Sequence, residues 1–325
     1  MKDNLLEVKN LKKYYRLKGG MFSRKAYYVR AVDSVSLNIK RGETFGLVGE
    51  SGCGKTTLSR LILRLCEPDD GEVRFEGDNL LKLSNDKMQT RRAEMQMIFQ
   101  DPFESLNPRM TVGEIVASPF EIHKTLKGKA KIEKVKELLN LVGLNEDCIN
   151  KYPHEFSGGQ RQRIGIARAI ALHPKLVICD EPVSALDVSI QAQILNLLCE
   201  IQESFGLTYM FISHNLSVVK FMSDRIGVMY LGKIVEIAEC EELYENAMHP
   251  YTQALLSAVP TFNKGGKKER IILQGDPPSP INPPTGCRFY PRCKYSMPIC
   301  DIVEPSLKPY KEKHYIACHN YNEKF

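Results

Sequence analysis

The sequence lacks any long apolar run. None of its hydrophobic stretches approaches the ~20 consecutive residues that a membrane-spanning helix requires, so the chain is not expected to cross a bilayer. Its first seven residues contain neither a long apolar core nor a cleavage site of small residues, so no signal peptide is expected. Sustained apolar heptads are missing as well, which argues against a coiled coil.

The sequence also has little excess charge. Its 45 Lys and Arg residues against 39 Asp and Glu give a formal net charge of +6, with both signs mixed along the chain. This balance is too weak to indicate a nucleic-acid partner, although it is compatible with an anionic membrane surface nearby. A length of 325 residues with 43% hydrophobic residues is ordinary for a globular protein and allows one large domain plus a smaller one.

One dense motif is present at residues 49–56, Gly-Glu-Ser-Gly-Cys-Gly-Lys-Thr. An apolar run precedes it at 45–48 and a helix-like run follows at 57–63. In this strand–turn–helix context, G-x-x-x-x-G-K-[ST] indicates a phosphate-binding loop, whereas a chance glycine turn would lack these flanks. Lys55 is expected to reach the β- and γ-phosphates, and the Thr56 hydroxyl is expected to bind Mg²⁺. The nucleotide-binding residues predicted here are Gly49, Ser51, Gly52, Cys53, Gly54, Lys55, Thr56 and Thr57.

Two further apolar runs end in residues suited to phosphate chemistry. The run at 175–179 is short and β-rich, which is typical of a buried parallel strand, and it ends in Asp180 and Glu181. Combined with a phosphate loop, this pair predicts that Asp180 binds the Mg²⁺ shell and that Glu181 activates water. The run at 208–213 ends in His214, a position that is more often structural than catalytic when considered alone.

The segment around Ser157 has the pattern of a helix start. Ser157 and Gln160 fit a capping box, and the glycines between them, Gly158 and Gly159, leave the helix N-terminus open. The pattern indicates either a simple helix start or a second anion site. Upstream of the phosphate loop, Tyr15 is a candidate for stacking on an adenine ring, with simple packing as the alternative.

Residues 112–144 change to a helical period, and Gly143 is a plausible stop. This predicts a helical insert within an α/β domain. The apolar positions that carry the period are Ile132, Val135, Leu138, Leu139 and Val142.

Four of the ten cysteines cluster at the C-terminal end of the sequence: Cys287, Cys293, Cys300 and Cys318. Their spacing lacks the C-x₂-C knuckles of a zinc ribbon and differs from ferredoxin spacing. The prolines and aromatic residues around them predict a compact loop-rich module too small to be stable by hydrophobic burial alone. Four thiolates suit zinc or a [4Fe–4S] cluster, and four unliganded core cysteines are the remaining alternative. The Lys- and Gly-rich stretch at 264–270 is most simply a solvated linker.

The motifs in this order resemble the nucleotide-binding subunit of an ATP-binding cassette (ABC) transporter, over about residues 5–250. The sequence departs from the family pattern at two positions: Phe156 stands where leucine is commoner, and Asn215 stands where many relatives have aspartate. Both departures leave the serine-glycine core of the signature, Glu181 and His214 unchanged. The matched features are the phosphate loop, the Q-loop glutamine Gln100, the signature at 156–160, the acidic pair Asp180 and Glu181, the D-loop at 184–187 and the switch histidine His214.

A narrower resemblance is to the dipeptide/oligopeptide importer subfamily, carried by residues 98–108, 249–256 and the Pro-rich stretch 275–280. Nickel importers are close relatives. The resemblance implies an α/β fold, a P-loop NTPase ABC cassette in residues 1–255, with a mixed-sheet core, an antiparallel β subdomain and a helical subdomain at about 101–172. A C-terminal extension, residues 256–325, then carries the Pro-rich linker and a Cys-rich metal module.

The resemblance further implies how the residues work. Two ATPase subunits face head to tail, and Ser157, Gly158, Gly159 and Gln160 of one close on the ATP held by the other. Catalysis is expected to use Glu181, His214 and Gln100, and Mg²⁺ is expected to be held by Thr56, Gln100 and Asp180. Members of this subfamily with such a cysteine tail carry an iron–sulfur cluster, which favours [4Fe–4S] over zinc on Cys287, Cys293, Cys300 and Cys318.

The implied partners are a second ABC ATPase subunit, in this subfamily often a related paralogue, two transmembrane permease subunits and an extracytoplasmic peptide-binding protein. These place the chain on the cytoplasmic face of the membrane as a peripheral protein. Two other hypotheses remain. A soluble ABC ATPase that remodels nucleic acid or ribosomes usually has two cassettes or a coiled coil, and this chain has neither. A redox sensor would use the cysteine tail as its input.

Overall fold

The structure is a computed structural model that describes residues 4–17, 27–259 and 270–320. Apart from Arg270, the predicted linker at 264–270 lies outside these ranges. The chain divides into two compact units. The first consists of Met1–Leu5, Ile39–Thr44 and Lys82–Ile212, and the second of Leu6–Asn38, Phe45–Leu81 and Ser213–Phe325.

The described chain contains both strands and helices. The strands are β1 (Asn4–Leu17), β2 (Tyr27–Lys40), β3 (Thr44–Val48), β4 (Asp70–Phe75), β5 (Asp78–Asn79), β6 (Met95–Ile98), β7 (Leu176–Asp180), β8 (Thr208–Ile212), β9 (Arg225–Tyr230), β10 (Lys233–Glu239), β11 (Lys308–Lys311) and β12 (His314–Ile316). The helices are α1 (Lys55–Ile62), α2 (Asn85–Glu94), α3 (Pro102–Ser105), α4 (Val112–Ile122), α5 (Gly128–Leu141), α6 (Gly158–Ile170), α7 (Val188–Phe205), α8 (Leu216–Met222), α9 (Cys240–Asn246), α10 (Pro250–Ser257) and α11 (Pro298–Ile302).

The first unit contains a parallel arrangement of β6, β7 and β8. Met95 lies opposite Leu176 in the β6–β7 pair, and Leu176 lies opposite Thr208 in the β7–β8 pair. Every residue of β7 and β8 is buried, as expected for parallel strands covered on both faces. The predicted buried strand before Asp180 is therefore confirmed. Helix α7 ends at Gly206, whose φ of 62° gives the left-handed C-cap that a glycine permits.

The predicted helical insert consists of α4 and α5. Helix α4 begins with a complete capping box between Thr111 and Glu114, and α5 buries Val135, Leu138 and Leu139. The prediction fails at Ile132, which is 47% exposed. The buried stripe thus covers less of α5 than the period indicates. Gly143 follows α5 with a φ of 73°, which confirms the predicted stop.

The second unit contains strands that pair only antiparallel and strands that pair in both directions. Strand β4 pairs antiparallel with both β1 and β5. Strand β3, which leads into residues 49–56, pairs parallel with β9, and β9 pairs antiparallel with β10. The C-terminal strand β12 adds to β10, where Glu236 lies opposite Ile316. The predicted mixed sheet and antiparallel part are confirmed, and the C-terminal residues belong to the same compact unit as the phosphate loop. Among the described residues, no helix combines the length and apolarity needed to cross a membrane.

Candidate nucleotide-binding site

The phosphate loop joins β3 to α1 in the second unit, and two of its glycines are sterically required. A β-carbon on Gly54 would lie 2.1 Å from the Ala31 carbonyl oxygen, and one on Gly49 would lie 2.1 Å from the Met229 carbonyl oxygen. Gly54 also has a φ of 110°, a left-handed conformation that other residues rarely adopt. The loop backbone therefore lies so close to the backbone of Ala31 and Met229 that no side chain fits at Gly54 or Gly49.

Lys55 begins α1 and turns back over the loop. Its buried ammonium donates to the carbonyl oxygens of Gly49 at 2.8 Å and Glu50 at 3.1 Å, and Nζ lies 3.8 Å from Cys53 Sγ. Burial raises the pKa of the Cys53 thiol, so this cysteine stays protonated. A cation and the positive end of a helix dipole thus converge on the inside of the loop, which is the arrangement that binds phosphates.

Tyr15 and His214 also belong to the second unit. Tyr15 lies on β1 and is 41% exposed, with Lys13 Nζ 5.6 Å from the ring centroid. Its exposure leaves room for stacking, and its role stays a prediction. His214 is exposed just after β8. The neighbouring Asn215, one of the two departures from the family pattern, caps α8 by accepting hydrogen bonds from the backbone of Ser217 and Val218.

The acidic strand end lies in the first unit. Asp180 is the buried last residue of β7. Glu181 has a φ of 47°, a left-handed conformation that costs a residue with a side chain on the order of 1 kcal/mol or more. Its N–H donates to the Ile212 carbonyl oxygen at 2.9 Å, and Gln100 Nε2 donates to Glu181 Oε2 at 3.2 Å. The structure therefore brings Gln100 and Glu181 together, and strain of this kind is typical of functional positions.

The signature segment begins α6, also in the first unit. Its capping box is complete, because the Ser157 side chain accepts from the Gln160 N–H at 3.4 Å and the Gln160 side chain accepts from the Ser157 N–H at 3.0 Å. Ser157 and Gln160 are exposed, so this helix start is open at the surface of the described chain. Gly159 is buried, and a β-carbon there would lie 2.5 Å from Ile190 Cγ2. This glycine is therefore needed for packing on α7.

The predicted metal module is not confirmed. Among the described residues, no group of three or more His, Cys, Asp or Glu is arranged to hold a metal ion. The ten cysteines all lie within the described ranges, and none of them forms a disulfide. Cys287, Cys293, Cys300 and Cys318 nevertheless line one small, mainly apolar cavity. Burial raises the pKa of Cys287 to about 12 and that of Cys318 to about 11, so without a bound cation both are neutral.

Two residues outside the phosphate loop contact its second residue, Glu50, and neither contact was predicted from the sequence. Tyr251 Oη accepts the Glu50 N–H at 2.9 Å, and Arg292 forms an ion pair with the Glu50 carboxylate at 2.9 Å. Residue type and spacing gave no signal for either, because their partner lies about 200 or more positions away in the sequence.

Comparison with known proteins identifies the class to which this fold and these motifs belong. The family model "ABC transporter" matches residues 32–184, and "Oligopeptide/dipeptide transporter, C-terminal region" matches residues 235–300. A solved dimeric, post-hydrolysis structure of the ATP-binding cassette MJ0796 with ADP and Pi is 31% identical, covers 72% of this chain and 98% of its own, and has a TM-score of 0.64. The cbiO1 structure from Clostridium perfringens, part of the transporter complex cbiONQ, is 26% identical, covers 75% and 92%, and has a TM-score of 0.63.

At the level of individual relatives, the oligopeptide transport ATP-binding protein AppF of Bacillus subtilis (strain 168) is 54% identical over 323 residues, 98% of either chain. The chain therefore belongs to the ABC transporter ATP-binding proteins of the oligopeptide/dipeptide importer type. ATPase activity fits this membership.

Proposed function

We propose that this chain is the ATP-hydrolysing subunit of an importer of dipeptides or oligopeptides. It acts as one of a head-to-tail pair of ATPase subunits, the other a related paralogue, beneath two transmembrane permease subunits on the cytoplasmic face of the membrane. An extracytoplasmic peptide-binding protein delivers the substrate. The observation that carries the proposal is the identity to AppF, which extends over 98% of the chain and so includes the C-terminal region along with the cassette.

The roles of the residues follow from family membership and from the contacts inside each unit. Lys55 and the loop N–H groups bind the β- and γ-phosphates. Thr56, Gln100 and Asp180 offer oxygen atoms, the ligands that Mg²⁺ prefers, and the ion neutralises phosphate charge when bound. Glu181 accepts the proton of the attacking water and His214 orients that water.

The signature residues act on the partner's nucleotide in this proposal. The exposed start of α6 presents N–H groups and the positive end of a helix dipole, so it can spread the negative charge that builds on the γ-phosphate of the second subunit. Ser157, Gly158 and Gly159 form this end of the helix, and Gln160 completes its capping box.

The test of the nucleotide site is Lys55→Ala in the full chain. Loss of the ammonium is expected to weaken ATP binding at least about tenfold, since a charge-assisted contact to phosphate is removed. Equilibrium binding of a fluorescent ATP analogue measures this. Lys87→Ala is the control, because Lys87 is exposed on α2. Equal affinity in the two variants would refute the loop assignment.

The test of the transport role uses the assembled complex. Tagged chain is expected to co-purify with polytopic membrane proteins, and ATP hydrolysis by the complex with its binding protein is expected to rise on addition of a short peptide. Stimulation by Ni²⁺ but not by peptides would instead identify a nickel importer. Retention of nucleic acid without membrane proteins would favour a soluble ATPase.

The cysteine module is proposed to hold a [4Fe–4S] cluster on Cys287, Cys293, Cys300 and Cys318. Support comes from the four free thiols that line one cavity and from their match in number to the usual ligand set of such clusters. Protein purified without oxygen is expected to be brown, with a broad absorbance that a Cys300→Ser variant loses. Colourless protein with stoichiometric zinc would show that the four cysteines bind zinc and not a cluster. Colourless protein without metal would show that they are unliganded core cysteines.

A further inference from the structure

We propose that Arg292 is a positioning residue of the phosphate loop, which raises ATP affinity by neutralising Glu50 and holding it in place. The inference rests on the proposed ATP-binding role of residues 49–56 and assigns a function to a residue outside every nucleotide-binding motif of the chain. All the contacts that carry it lie within the second unit.

The ion pair between Arg292 and Glu50 is close and partly shielded from water. Arg292 Nη1 donates to both carboxylate oxygens of Glu50, at 2.9 and 3.1 Å, and lies 3.4 Å from Tyr230 Oη. The two side chains are 8% and 28% exposed. A charge-assisted hydrogen bond at this burial is screened little by salt, so the pair fixes the Glu50 side chain.

Glu50 is the second residue of the phosphate loop, and its backbone contacts Lys55, the lysine proposed to bind the phosphates. Its carbonyl oxygen accepts from Lys55 Nζ at 3.1 Å, and its N–H donates to Tyr251 Oη at 2.9 Å. A carboxylate in a loop that receives a triphosphate repels that ligand unless a cation pairs with it. Arg292 supplies this cation from the C-terminal part of the chain.

The segment that carries Arg292 is itself anchored. The neighbouring Arg288 is buried, donates to the Leu231 carbonyl oxygen and pairs with Asp33, which also accepts from Tyr14 Oη at 2.6 Å. Phe289 packs against the rings of Tyr230 and Tyr251, with centroid distances of 5.4 and 5.5 Å. Arg292 is therefore presented to Glu50 from a fixed backbone.

The experiment measures ATP, ADP and AMP binding to the full chain by displacement of a fluorescent ATP analogue. Arg292→Ala is expected to weaken ATP binding about tenfold and AMP binding much less, because an unpaired Glu50 repels the ligand in proportion to its charge. Glu50→Gln in the Arg292→Ala background is expected to restore ATP affinity to within about threefold of the parent, since the repulsion is removed. Lys294→Ala is the matched control, because Lys294 is an exposed cation near Arg292 in the chain that lies over the Tyr295 ring.

Two outcomes would overturn the inference. One is an Arg292→Ala protein whose ATP affinity equals that of Lys294→Ala. The other is an affinity loss that Glu50→Gln does not reverse, because a purely structural role for Arg292 would be indifferent to the charge on Glu50. If Arg292→Ala does not fold, Arg292→Gln and Arg292→Lys replace it, and only the lysine variant should keep ATP affinity near that of the parent. Binding that depends on Lys55 but ignores Arg292 refutes this inference alone, whereas a parent that binds no ATP refutes the proposed function as well.

Discussion

At the scale of single residues, local geometry fixes the position of Glu181, the residue proposed as the general base. Glu181 is held in a left-handed conformation, its N–H bonds to Ile212, and its carboxylate accepts from Gln100. These contacts fix both the backbone and the side chain, which is what a positioned general base requires. The sequence predicted the roles of Glu181 and Gln100 but not their direct hydrogen bond, since 81 positions separate them.

Glu181→Gln is expected to lower the rate of ATP hydrolysis at least about 100-fold, because an amide cannot accept the proton of the attacking water. ATP affinity should change little, since the substitution keeps the size of the side chain. Phosphate release and ATP-analogue binding measure the two quantities. Glu200→Gln, at an exposed position of α7, is the control. A hydrolysis rate within a few-fold of the parent would exclude Glu181 as the base.

At the scale of elements, α6 combines a feature that is local in sequence with one that is not. The capping box between Ser157 and Gln160 involves residues within one turn, so the sequence predicted it and the structure confirms it. The contact of Gly159 with Ile190 joins two helices, and a glycine in a helix gives no indication of the neighbour that requires it. This packing role therefore became visible only in the structure.

Alanine substitutions at two glycines of α6, Gly159 and Gly165, test whether Gly159 is required for packing against α7. Gly159→Ala is expected to destabilise the protein by about 1–3 kcal/mol, because the new methyl group would overlap Ile190 Cγ2. Gly165→Ala is expected to stabilise it by up to about 1 kcal/mol, because a β-carbon there meets no atom within 4 Å and alanine favours helix. Urea unfolding without nucleotide measures both free energies. Equal effects of the two substitutions would contradict the packing role of Gly159.

At the scale of the whole molecule, ion pairs between residues far apart in sequence connect the C-terminal residues to the rest of the unit that contains the phosphate loop. Arg288 and Asp33 are 255 positions apart and both buried. Burial by itself would raise the pKa of Asp33, but the hydrogen bond from Tyr14 and the nearby cations Lys233 and Arg288 outweigh it and hold the pKa below its usual value. Asp33 therefore stays ionised at neutral pH and compensates the buried guanidinium.

The lowered pKa of Asp33 gives a pH-dependent prediction. The contribution of Asp33 to stability is complete above the unfolded pKa of about 4 and is lost as pH falls through the lower folded value. Asp33→Asn is expected to cost about 3 kcal/mol at pH 7, since it leaves a buried charge unpaired, and the difference from the parent should shrink towards pH 3. Urea unfolding at several pH values measures this difference.

Asp70→Asn is the control for this experiment, because Asp70 also has a lowered pKa but pairs with Lys12 at the surface. Its unfolding midpoint at pH 7 should differ from that of the parent much less than that of Asp33→Asn does, because an exposed ion pair contributes little to stability. A pH-independent loss of stability in Asp33→Asn would contradict the role of its charge.

The sequence by itself determined the features whose residues lie close together along the chain: the phosphate loop between β3 and α1, the capping box of α6, the buried strand before Asp180 and the family to which these motifs belong. Their geometry depends on backbone conformation and hydrogen bonds within a few residues, and such patterns are encoded locally. Only the tertiary structure decided that Arg292 pairs with Glu50, that Arg288 pairs with Asp33 and that Gly159 packs on Ile190. Ion pairs and close packing between distant residues depend on where the folded chain places them, and neither spacing nor composition specifies that placement.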